Sequence, residues 1–152
     1  MVNVDWEDNR VLSTPVSLYI EYIYLMHNSF IKSKLKDFNI TEGEFTYLVN
    51  IFYNDAMSQR QLADLLFVSQ ANVTKMLKKL EGKGLIKRVK DENNHSKKLI
   101  NLTEKGKSTT FYLLNLTFSW ETRLMDSYSD AEIQNFKKML FDLARVSVDL
   151  NE

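Results

Sequence analysis

Six basic side chains lie close together in the stretch SQANVTKMLKKLEGKGLIKR, residues 69–88. They are Lys75, Lys78, Lys79, Lys83, Lys87 and Arg88. The stretch contains one acid, Glu81, so its net charge is +5. Lysine and arginine side chains bind phosphates and the edges of guanine bases. An ordinary solvated helix face carries lysines as well, so these residues alone do not decide between the two interpretations.

The charge of the rest of the chain favours a polyanionic partner. The 152 residues include 20 basic and 20 acidic side chains, so the whole protein is neutral. Residues 57–107, however, contain 12 Lys or Arg and 5 Asp or Glu, a net charge of +7. The other residues carry a net charge of −7. Such a segregation indicates that one segment meets a polyanion while the rest serves another purpose.

The composition argues against several classes of protein. There is no cysteine, which excludes disulfides and thiolate catalysis by this chain. The two histidines, His27 and His95, stand in no recognisable metal-ligand spacing, so we expect no metal and no cofactor. We find no Ser-His-Asp set and no glycine-rich phosphate loop, and we therefore expect no enzyme. The chain lacks a secretory signal and an apolar run long enough to span a membrane, which predicts a cytoplasmic protein.

The pattern of caps and apolar residues predicts six helices and one β-hairpin, a mainly α (α+β) fold. The first helix is expected to begin after an N-cap at Ser13 or Thr14, with Pro15 in its first turn. The other helices are expected to begin at Thr41, Ser58, Ser69, Thr103 and Ser129. In the short third helix Leu62, Leu65 and Leu66 are expected to face inward. Residues 85–89 and 98–102 alternate in the manner of strands and predict the hairpin.

Two short helices followed by a hairpin are typical of a winged helix-turn-helix, in which the second helix reads DNA. In the fourth helix Val73, Met76, Leu77 and Leu80 share one face. The opposite face consists of Ala71, Lys75 and Lys78, flanked by Asn72, Thr74 and Lys79. Asparagine can read adenine, and alanine or a threonine methyl can touch a thymine methyl. The helix N-termini at Ser58 and Ser69 can donate backbone N–H groups to phosphates.

The middle of the chain also resembles the MarR family of transcriptional regulators. The ordered motif is L-A, V-S, V-T-[RK], L-E-x-x-G-L-[IV]-x-R, a charged wing, and L-T-x-x-G. Its elements fall on Leu62-Ala63, Val68-Ser69, Val73-Thr74-Lys75, Leu80-Glu81, Gly84-Leu85-Ile86, Arg88 and Leu102-Thr103-Glu104-Lys105-Gly106. The resemblance implies one MarR-like domain over residues 1–152, with the winged helix-turn-helix lobe at 57–102. It also implies a homodimer held together by helices in 13–36 and 103–150.

From the helix pattern and this resemblance we expect a sequence-specific regulator that binds a pseudo-palindromic operator in double-stranded DNA. Its DNA-binding residues are expected to be Ser58, Ser69, Gln70, Ala71, Asn72, Thr74, Lys75, Lys78, Lys79, Arg88, Lys90, His95, Lys97 and Lys98. The alternative is a winged-helix module that binds an acidic protein and no DNA. Discrimination between the two requires a DNA-binding measurement.

Two positions depart from the family pattern. Members typically carry an Asp and two arginines near the wing tip, where this chain has Asn94, His95 and Ser96. Insertion of an arginine into the minor groove is therefore not expected, and His95, Lys97 and Lys98 are the candidate substitutes. Phe67 stands where many members have glycine in the turn. We expect the turn to differ locally and Phe67 to pack.

Similar proteins often bind small aromatic or phenolic anions, and this suggests a repressor released by such an effector. The candidate lining consists of aromatic residues and one histidine. They are Tyr19, Tyr22, His27, Phe30, Tyr47, Tyr112 and Trp120. Aromatic side chains with polar tips suit a pocket of this kind. Plain core or interface packing is the alternative for each of them.

Overall fold

The structure is a computed structural model that describes residues 11–54, 56–90 and 98–150. Along these residues the elements are α1 (Val16–Asp37), α2 (Glu42–Tyr53), β1 (Met57–Ser58), α3 (Gln59–Leu65), α4 (Gln70–Gly82), β2 (Ile86–Lys90), β3 (Lys98–Leu102), α5 (Glu104–Leu124) and α6 (Asp130–Asp149). The predicted mainly helical, winged helix-turn-helix fold is confirmed. In the described part of the chain, no helix combines the length and the apolar character that a membrane crossing needs.

The chain divides into two compact units, Met1–Leu116 and Thr117–Glu152, and the division falls inside α5. The first unit contains α1 to α4, the strands and the beginning of α5. The second contains the end of α5 and α6. The expectation of a single domain with a lobe at 57–102 stays a prediction.

Side-chain caps begin five of the helices at the predicted residues. Thr41, Ser58 and Ser129 each form a capping box with the Glu or Gln three residues later. The hydroxyl of Ser69 accepts a hydrogen bond from the backbone N–H of Asn72 at 3.3 Å. At the start of α5, the Thr103 hydroxyl accepts a hydrogen bond from the backbone N–H of Gly106 at 3.0 Å. These starts are predictable because every partner lies within three residues.

The predicted start of α1 is wrong. Pro15 is the N-cap, and its carbonyl accepts the first hydrogen bond from the Leu18 N–H at 3.0 Å. Its ψ of 137° is extended, so the helix begins one residue later. Ser13 and Thr14 precede the cap and cannot fill that role.

The core of the first unit collects side chains from α1, α2, α3, α4, the strands and α5. Its fully buried members include Ile31, Leu35, Leu48, Leu62, Val73, Leu77, Leu80, Ile100 and Leu113. The expectation for α3 is partly wrong, because Leu65 is 43% exposed whereas Ala63 is buried. At 100° per residue, Leu65 points about 100° away from the centre of the face that Leu62, Ala63 and Leu66 share.

The hairpin is part of a three-stranded antiparallel sheet with the order β1-β3-β2. In its register Arg88 is opposite Ile100, and Lys90 is opposite Lys98. On the other side of β3, Met57 pairs with Ile100. β1 was not predicted because a strand of two residues is too short to show alternation.

The turn between α3 and α4 differs from the expectation for Phe67. Its backbone has φ 52°, a left-handed conformation, and its side chain is 79% exposed. The prediction that the turn changes and Phe67 packs is therefore wrong. The turn keeps the geometry that glycine adopts without cost, and a phenylalanine there is strained.

The backbone of α5 lies directly against Leu85, which follows the end of α4. A Cβ placed on Gly106 would lie 1.9 Å from the carbonyl oxygen of Leu85. The same carbonyl accepts a hydrogen bond from the Thr103 N–H at 3.0 Å. The glycine of the L-T-x-x-G motif is therefore required by close backbone packing.

We predict that Phe67→Gly raises the free energy of unfolding by about 1 kcal/mol, because it removes left-handed strain and little buried surface. Chemical denaturation measures the change. Leu65→Gly is the control, since it removes another exposed apolar side chain, but from a helical position. It should lower stability by about 1 kcal/mol. A loss of stability in Phe67→Gly would contradict the strained turn.

We predict that Gly106→Ala lowers the free energy of unfolding by about 1–3 kcal/mol, because the new methyl group must displace the backbone of Leu85. Gly82→Ala is the control. Gly82 is the last residue of α4, and a Cβ there meets no atom of the described residues within 4 Å. That variant should be neutral or slightly stabilising. Equal effects of the two substitutions in the same denaturation assay would rule out the close-packing explanation.

Candidate nucleic-acid interface

Helix α4 has one buried and one exposed face, as its sequence predicts. Val73, Leu77 and Leu80 have no exposed surface, and Met76 is partly buried. The opposite side presents exposed Ala71, Asn72, Lys75, Lys78 and Lys79. Because the buried side chains fix the rotation of the helix, the three lysines form a cationic face directed at solvent.

A hydrogen-bond network holds the start of α4 against α3. The Thr74 hydroxyl donates to the carbonyl of Gln70 at 2.8 Å. The side-chain amide of Gln59 donates to that hydroxyl and, at 3.1 Å, to the Gln70 carbonyl. Thr74 is partly buried, so the structure gives it a positioning contact beside its predicted DNA contact. Gln59 was not singled out from the sequence, since its partners lie 11 and 15 residues away.

The two predicted phosphate-binding N-termini differ in exposure. Ser58 is 9% exposed, and its hydroxyl donates to the Gln61 side-chain oxygen at 2.8 Å. Ser69 and Gln70 are exposed at the start of α4. The α4 terminus is therefore the more accessible of the two.

Two of the six basic side chains in residues 69–88 are paired inside the protein. The Arg88 guanidinium lies 2.8 Å from a carboxylate oxygen of Glu81. The ammonium group of Lys83 lies 2.7 Å from a carboxylate oxygen of Glu44. The positive charge available to a partner therefore comes mainly from Lys75, Lys78, Lys79 and Lys87.

The wing adds further exposed charge. Lys90 and Lys98 are exposed and stand directly opposite each other on β2 and β3. Like charges in this position repel each other, and an anion bound between or beside them would weaken the repulsion. The candidates His95 and Lys97, and the departures at 94–96, lie outside the described residues.

The candidate effector residues come from several elements of the fold. Tyr19, Tyr22, His27 and Phe30 are on α1, Tyr47 is on α2, Tyr112 is in the first-unit part of α5, and Trp120 belongs to the second unit. The Tyr19 hydroxyl donates to the carbonyl of Val11 at 3.3 Å. Tyr47 is buried, and burial raises the pKa of its hydroxyl. The Tyr112 ring packs against Phe38 with centroids 5.4 Å apart.

Each unit contains a surface cleft of about 430 Å³. The cleft of the first unit is lined by Phe52, Lys87, Asn101, Leu102, Glu104 and Lys107. The cleft of the second unit is lined by Phe118, Glu121, Thr122, Met125, Asp126, Tyr128, Asp130, Ile133 and Lys137. Both are lined by residues other than the seven candidates, so the effector pocket stays a prediction.

Comparison with known proteins places this geometry in a family. The sequence profile of the MarR family matches residues 40–95. The HTH-type transcriptional repressor YetL of Bacillus subtilis is 34% identical over 112 residues, which cover 72% of this chain and 67% of that protein. The uncharacterized HTH-type transcriptional regulator YybA of the same species is 38% identical over 74 residues, and there the chain spans about half (49%) of the relative's length.

A solved structure agrees over most of the chain. It is that of a Listeria monocytogenes protein described as a MarR family transcriptional regulator, in complex with a 26mer DNA. The TM-score is 0.79 at 26% sequence identity, covering 90% of this chain and 91% of that chain. With the winged helix-turn-helix and its exposed lysine face, these matches show that the chain belongs to the MarR family of DNA-binding, helix-turn-helix transcriptional regulators.

Proposed function

We propose that this protein binds a pseudo-palindromic operator as a homodimer, with one α4 helix of each protomer in the major groove. The observation that carries the proposal is the face of α4 that presents Lys75, Lys78 and Lys79 opposite three fully buried side chains. Two reader helices about 34 Å apart would meet half-sites separated by one turn of DNA.

The residues of this face have different roles in the proposal. Lys78 and Lys79 contact phosphates and supply affinity without sequence preference. Asn72 and Lys75 lie closer to the N-terminal end of the helix, where base edges are read, and they supply specificity. Ser69, Gln70, Ala71 and Thr74 complete the surface at the start of the helix.

The wing supplies contacts outside the reader helix. The adjacent lysines Lys90 and Lys98 suit the phosphates beside the half-site, and the mutual repulsion of their charges would be relieved there. We assign the remaining wing contacts to His95 and Lys97. Arg88 contributes less than the exposed lysines, because Glu81 already neutralises its charge.

The homodimer is supported by apolar surface that the single chain leaves exposed. On α1 this surface includes Val16, Ile20, Ile23, Tyr24, Leu25 and Met26. On α6 it includes Phe136, Met139, Phe141, Leu143, Val146 and Val148, and the helix has no buried residue along its length. Val16, Ile20 and Ile23 recur along one side of α1, and Phe136, Met139, Leu143 and Val146 recur along one side of α6. Exposed apolar stripes of this kind indicate an interface. A second copy of the chain is the occupant that a pseudo-palindromic operator requires.

We further propose a cytoplasmic repressor that a small aromatic or phenolic ligand releases from DNA. Repression is supported by the relative YetL, which is 34% identical and is described as a transcriptional repressor. The effector rests on the aromatic residues of α1, α2 and α5, of which Tyr22 and Tyr112 are exposed and Tyr47 is buried. Release of bound operator by a panel of simple phenols would support this part of the proposal, and retention in the presence of all of them would count against it.

We predict that the protein retains specific fragments when its own genomic DNA is passed over it at low salt. We also predict that light scattering shows a dimer.

On a selected operator, Lys78→Ala should weaken binding to all sequences. It should also reduce the slope of log K against log salt by about 2, because each protomer loses one phosphate contact. Asn72→Ala should instead cost about 1–3 kcal/mol at one base pair of each half-site and leave the salt slope unchanged.

Lys34→Ala is the matched control, because this exposed lysine lies on α1, away from the reader face. It should leave the operator affinity and the salt slope unchanged, and light scattering should show that the variant remains a dimer. If Lys75→Ala and Lys78→Ala both behave like this control, the assigned reader face is wrong. If no fragment is retained at low salt, the alternative of a protein-interaction module gains support.

A further inference from the structure

The C-terminal end of α4 is tied to two other parts of the first unit through a single residue, Lys83. Lys83 is the C-cap of α4, and its ammonium group donates to a carboxylate oxygen of Glu44 on α2 at 2.7 Å. The same group donates to the backbone carbonyl of Asn39, in the loop that joins α1 to α2. Lys83 therefore connects the reader helix to the start of α2 and to the end of α1.

The backbone of the same residue is held from the side of α5. The Lys105 ammonium group donates to the Lys83 carbonyl at 2.9 Å. One residue later, the Thr103 hydroxyl donates to the carbonyl of Gly84 at 2.7 Å. Since Gly106 also packs on Leu85, the start of α5 holds the backbone of residues 83–85 in place. We call this set of contacts the Lys83 junction.

The partner of Lys83 is a buried carboxylate with a second task. Glu44 is 1% exposed, and it also accepts a hydrogen bond from the Thr41 N–H at 2.8 Å, which completes the cap of α2. Burial by itself raises the pKa of this carboxyl, but the hydrogen bonds from Lys83 and Thr41 together hold the pKa below its ordinary value. Glu44 is therefore charged at neutral pH, and Lys83 is the cation that compensates it.

The two ends of α4 are thus held differently. The start of the helix is hydrogen-bonded to α3, its partner in the helix-turn-helix, through Gln59. The end is bonded to α2, to the α1–α2 loop and to α5. The dimer helices are expected within 13–36 and 103–150, which contain most of α1 and all of α5. These helices would set the distance between the two α4 helices of the dimer. The Lys83 junction is where α4 meets them.

We propose that Glu44 and Lys83 are positioning residues that fix the orientation of α4 relative to α1 and α5, and so the spacing of the two reader helices in the dimer. On this proposal Lys83 acts as an internal strut, that is, a residue that holds α4 in position, and it contacts no phosphate. It has this role although it belongs to the most basic stretch of the sequence. The inference rests on the proposed dimeric, DNA-binding function and deepens it.

The spacing of the readers can be measured without DNA. The chain has no cysteine, so Lys78→Cys introduces one site for a spin label on each reader helix. Electron–electron dipolar spectroscopy should give a narrow distance distribution in this background. Adding Lys83→Met should broaden or shift that distribution, because the end of α4 loses its tie to α2. An unchanged distribution would overturn the proposal.

Operator binding supplies the second readout. Operators whose half-sites are moved apart or together by one base pair should bind the wild-type protein much less tightly than the best-spaced operator. Lys83→Met should lose about 2- to 30-fold in affinity for the best-spaced operator, the range typical of residues that couple without touching the ligand. It should also discriminate less between spacings. The slope of affinity against salt should equal that of the wild type, and a slope lower by about 2 would show that Lys83 meets phosphates.

Three further variants separate positioning from a loss of stability. Glu44→Gln keeps a side chain that can complete the capping box while it removes the charge pair, so it should reproduce the altered spacing. The double variant Glu44→Gln with Lys83→Met leaves no uncompensated buried charge, so it should stay folded and show the same change. Thr41→Ala removes the cap and keeps the ion pair. It should lower stability and leave the spacing preference intact.

The failures of the two proposals are distinguishable. A protein that gives no dipolar coupling between labels and retains no DNA would refute the dimeric function and the strut with it. A protein that dimerises and binds its operator, but whose Lys83→Met and Glu44→Gln variants keep the wild-type spacing preference, would refute the strut alone. The strut is equally refuted if Thr41→Ala changes the spacing preference as much as Lys83→Met does.

Discussion

The burial of one side of α4 is the constraint on which the proposed DNA surface depends. Val73, Leu77 and Leu80 are completely withdrawn from solvent among side chains from four other helices and the sheet. Rotation of the helix would expose these three residues, at a cost of about 1.5–3 kcal/mol for each. The lysines on the opposite side are therefore held outward by the apolar packing of the buried side.

The charges of the chain are arranged around this helix in two ways. Lys75, Lys78 and Lys79 remain exposed, as a polyanion partner requires. Lys83 and Arg88, which are close in sequence, are paired with Glu44 and Glu81. A buried or half-buried pair of this kind contributes little net stability, but removal of one partner is costly. Such pairs are suited to holding geometry, which a reader helix needs at both ends.

The sequence predicted the fold and the two faces of α4 well, and the physical reason is that both depend on local patterns. A capping box involves residues three apart, and an amphipathic helix repeats every three or four residues. The predictions failed where the outcome depends on distant parts of the chain. Leu65 and Phe67 are exposed because the packing of α3 selects other side chains, and β1 exists only because β3 is beside it.

What the sequence determined by itself is therefore the order of the elements, the two faces of α4 and the segregation of charge. Only the tertiary structure decided which basic residues are exposed and which are paired with a carboxylate. Glu44 stands 39 residues before Lys83, and no periodicity connects them. The same holds for Gly106, whose lack of a side chain is explained by the carbonyl of Leu85 against its backbone. Contacts of this length arise from packing of whole elements, which spacing along the chain does not encode.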